Sequence, residues 1–101
     1  MTRIVVSPKA SSDFLNILER LADLAGSVIA DRYASNLDLI YERLLRFPEI
    51  GSRRPRLGSL ARIVVLDPYI VVYDYLRNDD IVHVVRIVDG RRNITRRLIR
   101  E

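Results

Sequence analysis

Between Leu60 and Val88 lie three runs rich in β-branched and aromatic residues, and the breaks between them are too short for anything but hairpins. The runs are Leu60 to Leu66, Tyr69 to Leu76 and Ile81 to Val88, separated by Asp67-Pro68 and by Arg77-Asn78-Asp79-Asp80. A parallel crossover needs a dozen or so residues, so these turns force an antiparallel meander. Each run is apolar at both parities, which predicts that both faces of the sheet are at least partly covered.

Upstream the period changes from two to three-and-four. Ile4-Val5-Val6 reads as a short strand that must pair at the edge or centre of the same sheet. Ser7-Pro8 is a helix start, with Ser as N-cap and Pro at the first helical position, where its missing N–H costs nothing. Ala10, Phe14, Ile17, Leu18, Leu21 and Ala25 then form an apolar stripe, with Asp13, Glu19, Arg20 and Asp23 on the other side. Gly26 ends this helix. Ser27 caps a second one, whose stripe is Ala30, Tyr33, Leu37, Ile40, Leu44 and Phe47 and whose solvated face carries Asp31, Asp38 and Glu42. Pro48 stops it. From Pro48 to Ser59 the chain has neither period and reads as an exposed connection rich in Pro, Gly and Arg. Asp89-Gly90 breaks the last strand, and Arg91 to Glu101 reads as a short helix or a mobile basic tail. The predicted architecture is an α+β, two-layer fold in the order β-α-α-β-β-β. A helical hairpin packs on an antiparallel sheet, and residues 1–101 form a single domain.

Composition removes several function classes. There is no cysteine and one histidine, His83, which excludes disulfides, thiolate nucleophiles and Cys- or His-rich metal sites. No metal and no cofactor is expected. The longest apolar run, Tyr69 to Tyr73, is far short of the ~18 residues that span a bilayer, and no signal-peptide h-region is present. The predicted address is the reducing cytoplasm, with no membrane contact. Lys+Arg is 17 against 13 acids, a net charge of +4, and Lys9 is the only lysine. Residues 1–50 carry six bases and seven acids, whereas 51–101 carry eleven bases and six acids. A basic C-terminal half points to phosphates or to an acidic protein partner.

His83 lies within an apolar run with no carboxylate spaced to orient it, so a structural role is preferred over acid–base chemistry. Tyr69, Tyr73 and Tyr75 share one parity of their strand. They could stack bases or pack under the helices; the packed reading is preferred, because no RNP-type aromatic spacing accompanies them. Arg62 and Arg86 each interrupt an apolar strand and must be paired or aimed into a cleft. Ion pairs with Asp67, Asp74 or Asp89 and an anion-facing pair on the sheet face away from the helices stand as equal alternatives. There is no nucleophile elbow, phosphate-cradling Gly-rich loop or acidic metal cluster.

The string Phe47-Pro48-Glu49-Ile50-Gly51, followed by Arg53-Arg54-Pro55-Arg56-Leu57-Gly58, resembles the FPELG…RPELG connection of ParE-type toxins in the RelE/ParE superfamily, the plasmid-stabilisation family of type II toxin–antitoxin systems. Ser7-Pro8-Lys9-Ala10 with Asp13-Phe14, Arg62-Ile63-Val64-Val65, Tyr69-x-x-x-Tyr73 and Val84-Val85-Arg86-Ile87-Val88 are similar to that family in the same order. The resemblance implies a toxin that stalls DNA gyrase on cleaved DNA and is neutralised by a cognate antitoxin in a hetero-oligomer. The alternative it implies is a RelE-like, ribosome-dependent mRNA endoribonuclease, with Arg62 and Arg86 stabilising the scissile phosphate. A third reading is an inert remnant that only binds antitoxin. After Arg86 there is no His and no Tyr, so the acid and base of RNA cleavage are missing and the non-enzymatic gyrase inhibitor is preferred. Where the family often reads His-Gly-Ala-Arg-Asp, this chain has Asp89-Gly90-Arg91-Arg92-Asn93. The implied target-binding residues are Arg53, Arg54, Arg62, Arg86, Arg91 and Arg92.

Overall fold

A computed structural model describes all residues from Met1 to Glu101. The elements are β1 (Arg3–Val6), α1 (Pro8–Ala25), α2 (Ser27–Arg46), β2 (Ser52–Arg53), a 3-10 turn (Pro55–Leu57), β3 (Ala61–Leu66), β4 (Tyr69–Leu76), β5 (Ile81–Asp89) and α3 (Arg96–Arg100). The meander β3-β4-β5 is antiparallel as its short turns require, and β1 joins its far edge parallel to β5, giving the order β1-β5-β4-β3-β2. The α+β architecture of a helical hairpin on a sheet therefore stands, with the sheet mixed at one edge.

Three local readings need correction. Ser27 is the first residue of α2 rather than its cap. Gly26, at φ 93°, serves as C-cap of α1 and N-cap of α2 at once, so one left-handed residue makes the whole turn. The connection after Pro48 is less irregular than its composition suggests, since Ser52 and Arg53 pair with Ile63 and Arg62 as a fifth strand and Pro55–Leu57 is a 3-10 turn. Phe47 does not continue the apolar stripe. It is the C-cap residue, at φ −132°, and its ring leaves the helix face to lie 59% exposed.

The helices cover one face of the sheet. Ala10 of α1 and Leu37, Ile40 and Leu44 of α2 bury against Val71, Tyr73, Val82, Val84 and Ile87. The opposite face is covered as the apolar runs predicted, by Leu57 of the 3-10 turn and Ile99 of α3, packed on Ala61, Val72 and Val88. Tyr69 and Tyr73 belong to the helix-side core, so the packed reading of these tyrosines holds.

One irregularity decides which way the C-terminal half of β5 faces. Tyr73 pairs with Val84 but Val72 pairs with Arg86, so Val85 is an extra residue, a β-bulge. Before it, the even-numbered Val82 and Val84 face the helices; beyond it Ile87 does, and Val88 turns to the other core. Where β1 stops, the start of α1 takes over the edge of β5. The Ser7 amide donates to the Val84 carbonyl (2.9 Å) and its hydroxyl to that of Val85 (2.8 Å), while the same hydroxyl caps α1 by accepting from the Ala10 amide (3.0 Å).

Candidate functional site

The segment Phe47–Gly51 leaves α2 and is drawn down onto the sheet. The Tyr73 hydroxyl donates to the Pro48 carbonyl (2.8 Å) and accepts from the Gly51 amide (2.9 Å). Arg62 adds two bonds through one nitrogen, donating from Nη1 to the carbonyls of Glu49 (2.8 Å) and Gly51 (2.9 Å). A Cβ at Gly51 would stand 2.7 Å from the Tyr73 ring and 2.8 Å from the Ile63 carbonyl, so glycine is required by this close approach. Burial pushes the Tyr73 phenol pKa up, opposed by the Gly51 amide and the Arg62 charge. Tyr73 is therefore a neutral donor and acceptor in one, and Arg62 is a clamp for backbone carbonyls.

Arg62 and Arg86 do not converge. Arg62 sits across from Tyr73, on the helix side, whereas Arg86 sits across from Val72, on the other side of the sheet. The bulge at Val85 is the cause, since it flips the parity of β5 just before Arg86. Neither arginine uses Asp67, Asp74 or Asp89. Arg86 binds Asp13 through Nε (2.7 Å) and Nη2 (2.9 Å) and the Leu98 carbonyl through Nη1 (2.7 Å), with both charged side chains only 16% exposed. The hydrogen bonds that Arg86 donates to Asp13 raise its pKa, against the opposing effect of burial. Asp13 also accepts from the Ile87 amide (3.0 Å), so it lies on the sheet side of α1 rather than among its solvated residues.

The other four candidate arginines fall in two places. Arg53 lies across from Arg62, and both line a hollow of about 280 Å³ with Glu49 and Arg77. Arg54 lines a separate cavity of about 460 Å³, with Arg56 beside it and Ile63, Ile70 and Ile94 as apolar walls. Arg91 and Arg92 lie between two residues of that wall, Gly90 and Ile94. Arg91 is tied to Asp89 by two side-chain bonds of 3.0 and 2.7 Å, which with the Arg91 amide hold the Asp89 carboxyl at about 2. The Arg92 amide donates to the Asp89 carbonyl (3.2 Å), while its side chain is exposed and makes no hydrogen bond or salt bridge. His83 pairs across from Asp74, but both oxygens of that carboxylate bond Arg100 at 2.8 and 2.9 Å, so nothing orients the imidazole for catalysis.

Sequence reasoning missed the roles of Arg77 and Arg100, placed Asp13 on the solvated side of α1, and offered Asp74 as a partner for Arg62 or Arg86, whereas its partner is Arg100. Arg100 ties α3 down through Asp74 and, from Nε, through the Leu57 carbonyl (2.8 Å). Arg77 pairs with Glu49 across the clamped loop. The Asp13–Arg86 and Asp74–Arg100 pairs join residues 73 and 26 apart, and only a known register reveals such partners.

Comparison with known proteins agrees with the fold. The profile of the family described as "ParE toxin of type II toxin-antitoxin system, parDE" matches residues 4–94. Toxin ParE3 of Caulobacter vibrioides is 28% identical over 98 residues, covering 97% of this chain and 96% of that protein. A solved structure described as the chromosomal ParDE TA system from P. aeruginosa superposes with a TM-score of 0.73 at 19% identity, over 88% of this chain and 96% of that one, which shows the shared fold. With the family profile matching residues 4–94 and the fold shared, this chain belongs to the ParE toxin family of type II toxin–antitoxin systems.

Proposed function

We propose that this toxin acts by binding DNA gyrase and holding it on cleaved DNA, and that a cognate antitoxin silences it. The observation that carries this reading is the commitment of Arg62 and Arg86 to internal acceptors on opposite faces of the sheet. Cleaving RNA at a 2′-hydroxyl needs a base, an acid and a cation converging on one phosphate. Here the two cations are separated and the one imidazole is unoriented. Arg53, Arg54 and Arg92 remain at the surface for an electrostatic contact with target or DNA.

Antitoxin binding is supported by the flank of the sheet. β2 covers only Arg62 and Ile63, so the outer edge of β3 from Val64 to Leu66 has no strand partner. Beside it runs a groove of about 590 Å³ walled by Tyr33, Leu39, Ile40 and Val65, with Arg32 and Arg43 at its rim. An extended or helical segment with apolar and acidic residues fits that edge and that rim. Co-expression with the product of the neighbouring reading frame is expected to yield a stable complex; two soluble proteins that do not co-purify would contradict this.

The target is tested in cells by inducing the toxin and following DNA and mRNA together. Gyrase-linked double-strand breaks with full-length mRNA are expected. Codon-periodic mRNA fragments with intact DNA would instead establish the ribosome-dependent endoribonuclease.

A further inference from the structure

Four hydrogen bonds immobilise the backbone of Pro48–Gly51, yet the two large apolar side chains at its margins point outward. Phe47 is 59% exposed and Ile50 52%, while the Tyr73 hydroxyl and Arg62 Nη1 fix the carbonyls and amide beneath them. A loop locked only for stability would turn its apolar groups inward. A locked backbone presenting an aromatic anchor has instead prepaid the ordering cost of association. Phe47 and Ile50 edge a hollow of about 590 Å³ whose rim carries Arg46 and Arg77, and Glu49, its one carboxylate, is already bonded to Arg77. The neighbouring hollow adds Arg53, so basic groups exceed acidic ones around both anchors.

We propose that Phe47–Ile50 is a preformed docking element for the toxin's target protein, fitting an apolar pocket edged by carboxylates. The inference rests on the reading that the toxin acts by binding. A protein is favoured over nucleic acid because Ile50 offers no stacking face and the anchors form a two-residue apolar knob. Arg62 and Tyr73 then act as positioning residues and touch no partner.

The test uses Phe47→Ser and Arg77→Glu, both at exposed positions, with Phe47→Leu as the conservative control; Ile50 is left unchanged because it also borders the β3 edge. Growth arrest on induction reads toxicity whatever the target. Phe47→Ser is expected to abolish arrest while thermal unfolding and co-purification with antitoxin stay as in wild type, and Phe47→Leu to retain most toxicity. With purified gyrase, the Phe47→Ser toxin concentration giving half-maximal linear plasmid is expected to rise at least ~10-fold, with a smaller rise for Arg77→Glu. A folded Phe47→Ser protein that arrests growth like wild type overturns the proposal. So does loss of antitoxin binding with toxicity kept, which makes the antitoxin the occupant. A parallel loss of binding to a single-stranded DNA oligonucleotide, read by fluorescence anisotropy, makes nucleic acid the occupant and overturns it too. Arrest by the wild type without gyrase-bound breaks sinks the gyrase reading alone, since the Phe47→Ser comparison still decides the loop. A wild-type chain that does not arrest growth contradicts both.

Discussion

At the scale of single residues, the side chains with the most defined geometry are those that hold backbone. Tyr73 is fully buried, and its hydroxyl is both donor and acceptor to the loop above it. Tyr73→Phe keeps the ring and strands the Gly51 amide and Pro48 carbonyl, so a loss of about 1–3 kcal/mol in urea unfolding is expected, with an unchanged m-value. Asp13 carries three bonds, to Arg86 Nε and Nη2 and to the Ile87 amide. Asp13→Ala leaves an enclosed guanidinium without its counter-charge and is expected to cost about 3 kcal/mol or more. Asp89 gives a pH signature. Its folded pKa lies near 2, below the ordinary 3.8, chiefly because Arg91 hydrogen-bonds the charged form. Its contribution to stability is therefore present above the ordinary value and is lost as pH falls through about 2. Carboxyl NMR titration should find this midpoint near 2 in wild type and close to the ordinary value in Arg91→Ala.

Among the elements, the five-residue α3 depends most on its surroundings, since a helix this short has no stability of its own. Thr95 caps it by accepting from the Leu98 amide (3.1 Å), Ile99 is 1% exposed in the second core, and Arg100 bonds Asp74 and the Leu57 carbonyl. Ile99→Ala is expected to cost roughly 2–4 kcal/mol, read as a lower midpoint in thermal or urea unfolding. At Gly58, φ is 150° and a Cβ would overlap the Arg100 guanidinium. Gly58→Ala should therefore loosen α3 itself, seen as faster amide exchange at Ile99. The hairpin and meander were legible in the sequence because their signals are local: the stripe from Ala30 to Leu44, the Ser7-Pro8 start, the turns at Asp67-Pro68 and Asp79-Asp80. The parallel partner of β1 was not legible, because nothing within Ile4-Val5-Val6 encodes β5. The facing of Arg86 was hidden by one extra residue at Val85, which resembles its β-branched neighbours in every local respect. Phe47 kept the helical spacing while its backbone had already left the helix.

For the whole molecule, the basic bias of the C-terminal half resolves into two kinds of arginine. Arg62, Arg86, Arg91 and Arg100 are engaged with acceptors inside the fold or beside it, whereas Arg53, Arg56 and Arg92 are exposed. The resemblance to ParE toxins could be read from ordered motifs, but which arginines remained available could not, since that depends on pairings across the sheet. What the fold leaves outward is a basic surface, an open β3 edge and a clamped apolar loop, the equipment of a protein that binds. The most direct test is a cleavage assay with purified gyrase, ATP and supercoiled plasmid, quenched with detergent and protease. Linear plasmid that accumulates with toxin and disappears when antitoxin is added first is the predicted result. Full supercoiling with no linear product, at toxin in excess over gyrase, would contradict it.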